Sequence, residues 1–400
     1  MSKIIYTGSF LFPDGDAAAA RVLGIGKALR DAGYEVVFAG WEKCERKQDK
    51  QPNGSFVYEG FSYISQADIR YKQLSPVHRL THYVLSGNNT IRWLTAMDTT
   101  GVSAIIAYHG GSLFLLRLAS FCKARGIKLI VDCTEWYDPR HFGWRFGLVR
   151  LDNEIRMRLI YSFIGWVLPI STFLGNYYSL KRCRVLRIPP LVDLNDSKWV
   201  ILNRIVPSSP NKLRLAYAGT PGEKDLLGNV LRGLAILKGE KIAVELHLIG
   251  PTHQSAAQCL GEDAALLDEL DHMVIFHGRV PQAEVPRLLA GTDFTILLRP
   301  LARYAQAGFP TKIVESLAAG VPVIANPTSD IAEFIHDGVE GILLTDFTPS
   351  AFVAGVKRAS ALTQAQKETM RYNARLCAGT SFDYRGYVKK LSGFIRDCIN

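Results

Sequence analysis

The chain has 400 residues, 48% of them hydrophobic and 21% charged, which excludes an intrinsically disordered protein and suits two folded domains. No window of roughly 18 uncharged apolar residues is present, so a membrane-spanning helix is not expected. The formal net charge of +10 lies wholly in one half, because residues 1–206 hold 27 Lys and Arg against 17 Asp and Glu, while residues 207–400 hold 20 against 20. That asymmetry fits either a solubilising surface or an anionic partner met by the first half alone, such as a phospholipid surface or a lipid phosphate. The seven cysteines are scattered with no CxxC or Cys/His cluster, so reduced packing thiols in a cytosolic protein are expected, with no disulfide framework and no metal site.

In chain order, "MSKIIYTGSF" lacks a basic-then-apolar leader pattern and reads as a first strand. The loop in "YTGSFLFPDGDAAAAR" (6–21) follows it. There Gly15 permits a tight turn, Asp16 is placed to cap a helix opening on Ala17, and small residues let backbone amides approach a phosphate. A plain strand-to-helix loop fits the same residues. The spacing is not GxGxxG, so a nicotinamide dinucleotide site is not supported. The runs "EVVFAG", "AIIAYHG", "KLIVDC" and "WVLPIS" continue the series, separated by helix-like segments. Continuous apolar strands between helices predict a parallel sheet covered on both faces.

Polar candidates gather after these strands. His109 follows one run, and "VDCTEWYDPRH" (131–141) supplies Asp132, Glu135 and His141 to orient an acceptor hydroxyl, unless each is simply a satisfied polar group at a strand end. The segment 139–160 interleaves five arginines with Phe142, Trp144 and Phe146, and 69–85 does the same more weakly. Basic–aromatic mixing suits a lipid headgroup surface, with solvated helices as the alternative. No nucleic-acid fold signature accompanies it, so no nucleic-acid partner is expected.

Pro- and Ser-rich stretches at 187–193 and 205–212 mark the seam. The expected domains are 1–200 and 211–378, with 379–400 a terminal helix packing back on the first. The second series of strands reads "LRLAYAG", "VELHLIG", "MVIFHG", "FTILLR" and "VPVIAN". After the first of these, "GTPGEKD" places Gly219, Thr220 and Gly222 in a turn toward which Lys224 points, a phosphate grip without Walker spacing, or else a surface lysine at a helix start. Gly278 and Val280 follow a strand where main-chain groups can read a flat base. Arg299 ends an apolar strand on the ligand side and is placed to face a phosphate.

The stretch "AQAGFPTKIVESLAAGVPVIAN" (305–326) is the most informative. Gly308-Phe309-Pro310 turns into a helix with a buried stripe of Ile313, Val314, Leu317 and Ala318, and Gly320 closes it. Glu315 lies off that stripe. A carboxylate there accepts two hydroxyl hydrogen bonds from a cis-diol such as ribose, unless it is a surface residue paired with Lys312.

Taken together, "GTPGEKD", "FHGRVPQAEVPRLLAGTDFTILL" and "GFPTKIVESLAAGVPVIAN" resemble the family-4 retaining glycosyltransferases of bacterial surface-polysaccharide and glycolipid synthesis. The resemblance covers nearly the whole chain and is strongest over 213–345. It implies an α/β GT-B fold, with two Rossmann-like doubly wound domains facing a central cleft. The first domain would bind a glycan or lipid-linked acceptor and the second a nucleoside-diphosphate sugar, UDP-sugar ahead of GDP-sugar. Transfer would retain configuration and need no metal or other cofactor, on the cytoplasmic face of the cell membrane. Within the family's paired-glutamate region, the ribose-holding Glu maps to Glu315, and the Glu that contacts the donor sugar is replaced by Ala307. The diphosphate cation maps to Lys224. The family's frequent Arg after the first glycine is Thr220 here, which leaves Arg299 as the candidate second cation. The acceptor-side His is absent, and Glu135 is the substitute. Ala307 implies either an altered or inactive site, or a working variant in which the amides of Gly308 and Phe309 hold the donor sugar, near Gln306 and Lys312. The intact Lys224, Glu315 and glycine turn favour the variant. A sugar-nucleotide epimerase of the same fold and a silent nucleotide-sugar-binding scaffold are the alternative functions.

Overall fold

The computed structural model describes residues 2–13, 16–41, 51, 54–68, 85–137, 147–200, 212–220, 222 and 224–400. Gly15 and His141 lie outside the described residues, as do most of 69–85 and the first part of the basic–aromatic segment. The chain forms two compact units, Met1–Leu191 with Tyr384–Asn400, and Val192–Asp383. Both are Rossmann-like α/β layers built on parallel sheets, the GT-B fold class.

The first unit holds an eight-stranded sheet in the order β3-β4-β2-β1-β5-β6-β7-β8. The strands are β1 (Lys3–Gly8), β2 (Glu35–Gly40), β3 (Phe56–Tyr58), β4 (Phe61–Ser65), β5 (Val102–Tyr108), β6 (Lys128–Cys133), β7 (Trp166–Pro169) and β8 (Arg184–Val185). Among the described residues only the β3–β4 pair is antiparallel. The central strands are buried on both faces, which is why they read as unbroken apolar runs. The helices Ala17–Asp31 and Val388–Ile399 lie side by side, and the last helix puts Leu391, Ile395 and Cys398 into the same core as Ile4, Tyr6 and Ile106. The strand order reverses between β1 and β5, and the backbones approach closely there. A Cβ on Gly8, at φ 141°, would stand 1.9 Å from the Tyr108 carbonyl oxygen, so only glycine fits.

The second unit holds a six-stranded, wholly parallel sheet in the order β11-β10-β9-β12-β13-β14. Its strands are β9 (Leu213–Ala218), β10 (Val244–Ile249), β11 (Val274–Gly278), β12 (Phe294–Leu297), β13 (Val323–Ala325) and β14 (Gly341–Leu343). Leu215, Leu246, Leu248 and Phe294 form its core with Val230, Leu234, Phe352 and Val356 from the helices Leu227–Gly239 and Pro349–Ser360. Here the order reverses between β9 and β12. In open α/β sheets that reversal opens a crevice beyond the carboxyl ends of the two strands, the usual ligand position. Six cysteines among the described residues form no disulfide, and Cys259 is exposed rather than a packing residue.

Candidate functional site

The loops leaving β9 and β12 meet at this switch point. Leu226 N donates to the Leu298 carbonyl at 2.9 Å, which ties the two loops together. Gly219 leaves β9 at φ 121°, and a Cβ there would stand 2.7 Å from Lys312 Cε, so the glycine lets that lysine cross under the turn. Thr220 and Gly222 are exposed, and Lys224 is half-buried at the end of the turn.

A residue not anticipated from the sequence organises this cluster. Asp225 is buried, accepts from Tyr217 Oη at 2.7 Å and from Arg299 Nε at 2.9 Å, and is also ion-paired with the Lys312 ammonium. Lys312 also donates to Tyr217 Oη at 2.6 Å and sits over the Tyr217 ring. Burial alone would raise the Asp225 carboxyl, but Lys312 and Arg299 with the two side-chain hydrogen bonds hold it below the usual carboxylate range. Burial pushes the Lys312 ammonium down and the Tyr217 phenol up. The sequence signal for Asp225 was its place directly after Lys224 at a glycine turn. Arg299 is further fixed by its backbone, because Asn326 Oδ1 accepts from Arg299 N at 2.9 Å and Asn326 Nδ2 donates to Arg299 O at 2.9 Å.

Two cations, Lys312 and Arg299, share the one carboxylate of Asp225. The Lys312 side chain is 23% exposed and that of Arg299 12%, so neither is sealed from an incoming anion. The alternative pairing of Glu315 with Lys312 is not what the structure shows, since the Lys312 ammonium is engaged by Asp225. Glu315 is half-buried on helix Thr311–Ala318, whose stripe of Ile313, Val314, Leu317 and Ala318 is buried. Burial pushes its carboxyl up, with Lys198 and Lys312 opposing.

The turn before that helix is more enclosed than expected. Ala307 is fully buried, so the position does not open as a donor-sugar contact would require. Its neighbours account for this. Gln306 Oε1 accepts from Ser329 N at 2.8 Å, the Ser329 hydroxyl donates to the Gly308 carbonyl at 2.5 Å, and the Phe309 ring packs with Phe334 and Phe382. Gly278 and Val280 lie at the end of β11, with the Gly278 carbonyl accepting from Gly250 N at 2.9 Å. They are two strands away from the β9–β12 crevice.

In the first unit, Asp16 caps helix Ala17–Asp31 through Ala19 N at 2.7 Å. His109, in the left-handed region at φ 56°, has Nε2 2.6 Å from Thr134 Oγ1, which brings the ends of β5 and β6 together. Glu135 is half-buried and hydrogen-bonded with Tyr137, whose phenol is raised by burial and then by the Glu135 charge. The expectation for Asp132 is corrected. It is fully buried, bonded to Arg21 Nε and Nη2 at 2.9 Å and 2.6 Å, and also accepts from Tyr6 Oη, so both oxygens face the core rather than an acceptor.

Residues 213–361 match the family model described as Glycosyl transferases group 1. A stretch of 152 residues is 30% identical to the amylovoran biosynthesis glycosyltransferase AmsK of Erwinia amylovora, covering 37% of this chain and 36% of that protein. The chain therefore aligns with about a third of that relative's length. The UDP complex of Anabaena Alr3699/HepE superposes with a TM-score of 0.68 at 17% identity, over 99% of this chain and 100% of that one. Sucrose-phosphate synthase of Thermosynechococcus elongatus superposes with a TM-score of 0.72 at 14% identity, over 99% of each chain. Lys224, Asp225, Arg299, Lys312 and Glu315 all fall inside the residues that match the Glycosyl transferases group 1 model.

Proposed function

We propose that the protein is a glycosyltransferase that moves a sugar from a nucleoside-diphosphate donor, a UDP-sugar ahead of a GDP-sugar, to a glycan or lipid-linked acceptor. The observation that carries this reading is the surplus of cations around Asp225 at the β9–β12 switch point, with Glu315 on the helix that supplies Lys312. Lys224, Arg299 and Lys312 would meet the diphosphate, whose charge grows as the sugar–phosphate bond breaks. Glu315 would accept from the ribose hydroxyls. Retention of configuration, independence from metal, an acceptor contact through Glu135 and His109, and a setting on the cytoplasmic face in surface-polysaccharide synthesis belong to the same proposal. The similarity to the amylovoran glycosyltransferase AmsK and to the UDP-bound HepE supports it.

The test is a calorimetric panel of UDP-, GDP- and ADP-sugars, followed by product analysis with and without acceptor glycans. A UDP-sugar should bind best, and Glu315→Ala should weaken nucleotide binding by about 2 kcal/mol, the scale of a lost charged hydrogen bond. Unchanged affinity removes Glu315 from the site. An epimerised donor formed without acceptor would replace transferase by epimerase, and binding without any product would leave a scaffold.

A further inference from the structure

The helices between β5 and β8 form one layer with an unusual outer surface. β5, β6, β7 and β8 are parallel and consecutive in the sheet, so the chain steps in one direction three times. Right-handed crossovers then place all three intervening helical segments on the same face. The step from β1 to β2 runs the other way and puts helix Ala17–Asp31 on the opposite face. The side-chain contacts agree. Ser112 N donates to Asp152 Oδ1 at 3.0 Å, Tyr178 Oη donates to Met157 O at 2.9 Å, and Lys181 Nζ donates to Arg158 O at 3.3 Å. Helix Ser112–Arg125, the helical run 147–164 and helix Thr172–Leu180 are thus packed side by side.

Their solvent side is apolar where a monomer's surface is usually polar. Leu148, Leu151, Leu159 and Phe163 project from the run 147–164 and are 56–74% exposed. Phe173 and Leu180 continue the patch on the next helix, Leu180 at 86% exposure. Contiguous exposed apolar side chains on a soluble face mark a docking surface. The same layer is strongly basic. Residues 112–125, 147–164 and 172–182 hold 8 Lys and Arg against 2 Asp and Glu, and Arg150, Arg158 and Lys181 are exposed among the apolar side chains.

Charge decides what covers this face. A second copy bound across a two-fold axis would set one basic layer against another, and like charges across an interface cost several kcal/mol by typical magnitudes. A bilayer with anionic headgroups satisfies both properties at once: phosphates meet the cations, and the large apolar side chains enter the headgroup–acyl boundary. We propose that this helix layer seats the protein on an anionic phospholipid bilayer, with Leu159 and Phe163 inserted and Arg150 and Lys181 on lipid phosphates. The assignment is independent of which sugar, if any, the second unit handles.

Vesicle flotation tests it with the full chain, using phosphatidylcholine with and without phosphatidylglycerol. The protein should float with the anionic vesicles only, and less so as salt rises. Leu159→Asp with Phe163→Asp should weaken that binding by about tenfold or more, the scale of removing two buried apolar side chains. Arg150→Glu with Lys181→Glu should weaken it and flatten its salt dependence. Both double variants should keep the wild-type melting temperature and nucleotide affinity, which separates lost docking from lost folding. Absent flotation, or flotation untouched by the apolar double variant, overturns the proposal. A concentration-dependent dimer in sedimentation equilibrium, dissolved by Leu159→Asp with Phe163→Asp, also overturns it and gives the face to a second copy.

Discussion

Each unit buries an aspartate against a tyrosine hydroxyl and an arginine, and the two clusters have opposite characters. In the first, Asp132 is inaccessible, Arg21 is 3% exposed, and one cation balances one carboxylate. In the second, Asp225 is shared by Arg299 and Lys312, both partly open, at the sheet's switch point. A sealed, neutral cluster has no affinity left for an outside anion and serves the fold. A half-open cluster with two cations on one carboxylate is the one that the proposed function assigns to a phosphate. The same residue types therefore yield a structural brace in one place and a candidate binding site in the other.

The comparison is broken most directly at Asp132. Asp132→Ala leaves Arg21 buried without its partner, so unfolding free energy should fall by about 3–5 kcal/mol. Urea denaturation measures this. Replacing both partners by apolar residues, Arg21→Met with Asp132→Leu, should recover much of the loss, because neither charge then remains desolvated. A loss under about 1 kcal/mol for Asp132→Ala would show that the cluster is open to water after all.

The next effect concerns Ala307. Its methyl group is enclosed, so Ala307→Glu must either bury a carboxylate or open the turn held by Ser329. Overpacking alone costs roughly 1–3 kcal/mol, and the charge adds to it. The substitution also sets a negative charge in the turn ahead of Lys312, opposing the growing charge of a leaving diphosphate, so turnover should drop by about tenfold. Gain of transfer in Ala307→Glu, with an inert wild type, would mean that Ala307 marks a decayed site.

Much of this was legible in the sequence, and the exceptions have physical causes. Ten apolar runs were read as strands and all ten lie in the two sheets. β3 and β4 escaped notice because they form the antiparallel edge hairpin, where exposure alternates and no continuous run develops. β8 and β14 are two and three residues long, too short to show a pattern. Arg299 stood out because it ends an apolar strand, Lys224 because it follows a glycine-rich turn, and Glu315 because it lies off the apolar stripe of its helix. Asp225 and Lys312 are different, since their meaning comes from each other across 87 residues of sequence. Asp132 shows the converse error. A carboxylate at the end of a strand looked available, and only Arg21, 111 residues away, makes it a core residue.

Asp225→Asn sharpens the contrast with Asp132. Its cations keep solvent contact, so the stability loss should stay near 1–2 kcal/mol, the scale of a charged hydrogen bond. Lys312 and Arg299 would lose their common anchor, and turnover should fall about tenfold while UDP affinity is kept, with a steeper salt dependence. Differential scanning calorimetry and titration at two ionic strengths report both quantities. Destabilisation as large as for Asp132→Ala would make the second cluster a structural brace too.

The smallest expected effect is a gain, and its sign separates Glu315 from Asp225. Burial raises the Glu315 carboxyl, and Lys198 and Lys312 offset that only in part. In the unfolded chain the same group titrates near its ordinary value of about 4.3. Between that value and its folded one, the native protein binds the extra proton, so its stability falls as pH rises. Above the folded value the whole cost of holding a desolvated carboxylate is present. Glu315→Gln removes that cost and should melt a few degrees higher than wild type near neutral pH, roughly the shift produced by 1 kcal/mol. The gain should fade as pH drops below about 4.3. Asp225 runs the other way. Its folded value is depressed, so its contribution is present above about 3.9 and is lost as pH falls through that depressed value. Melting curves of wild type, Glu315→Gln and Asp225→Asn across pH therefore distinguish a carboxylate held in readiness for hydroxyl donors from one already satisfied by cations. A Glu315→Gln variant that gains nothing near neutral pH would show that the Glu315 carboxylate already has its partners in the free protein, and so is not waiting for a ribose.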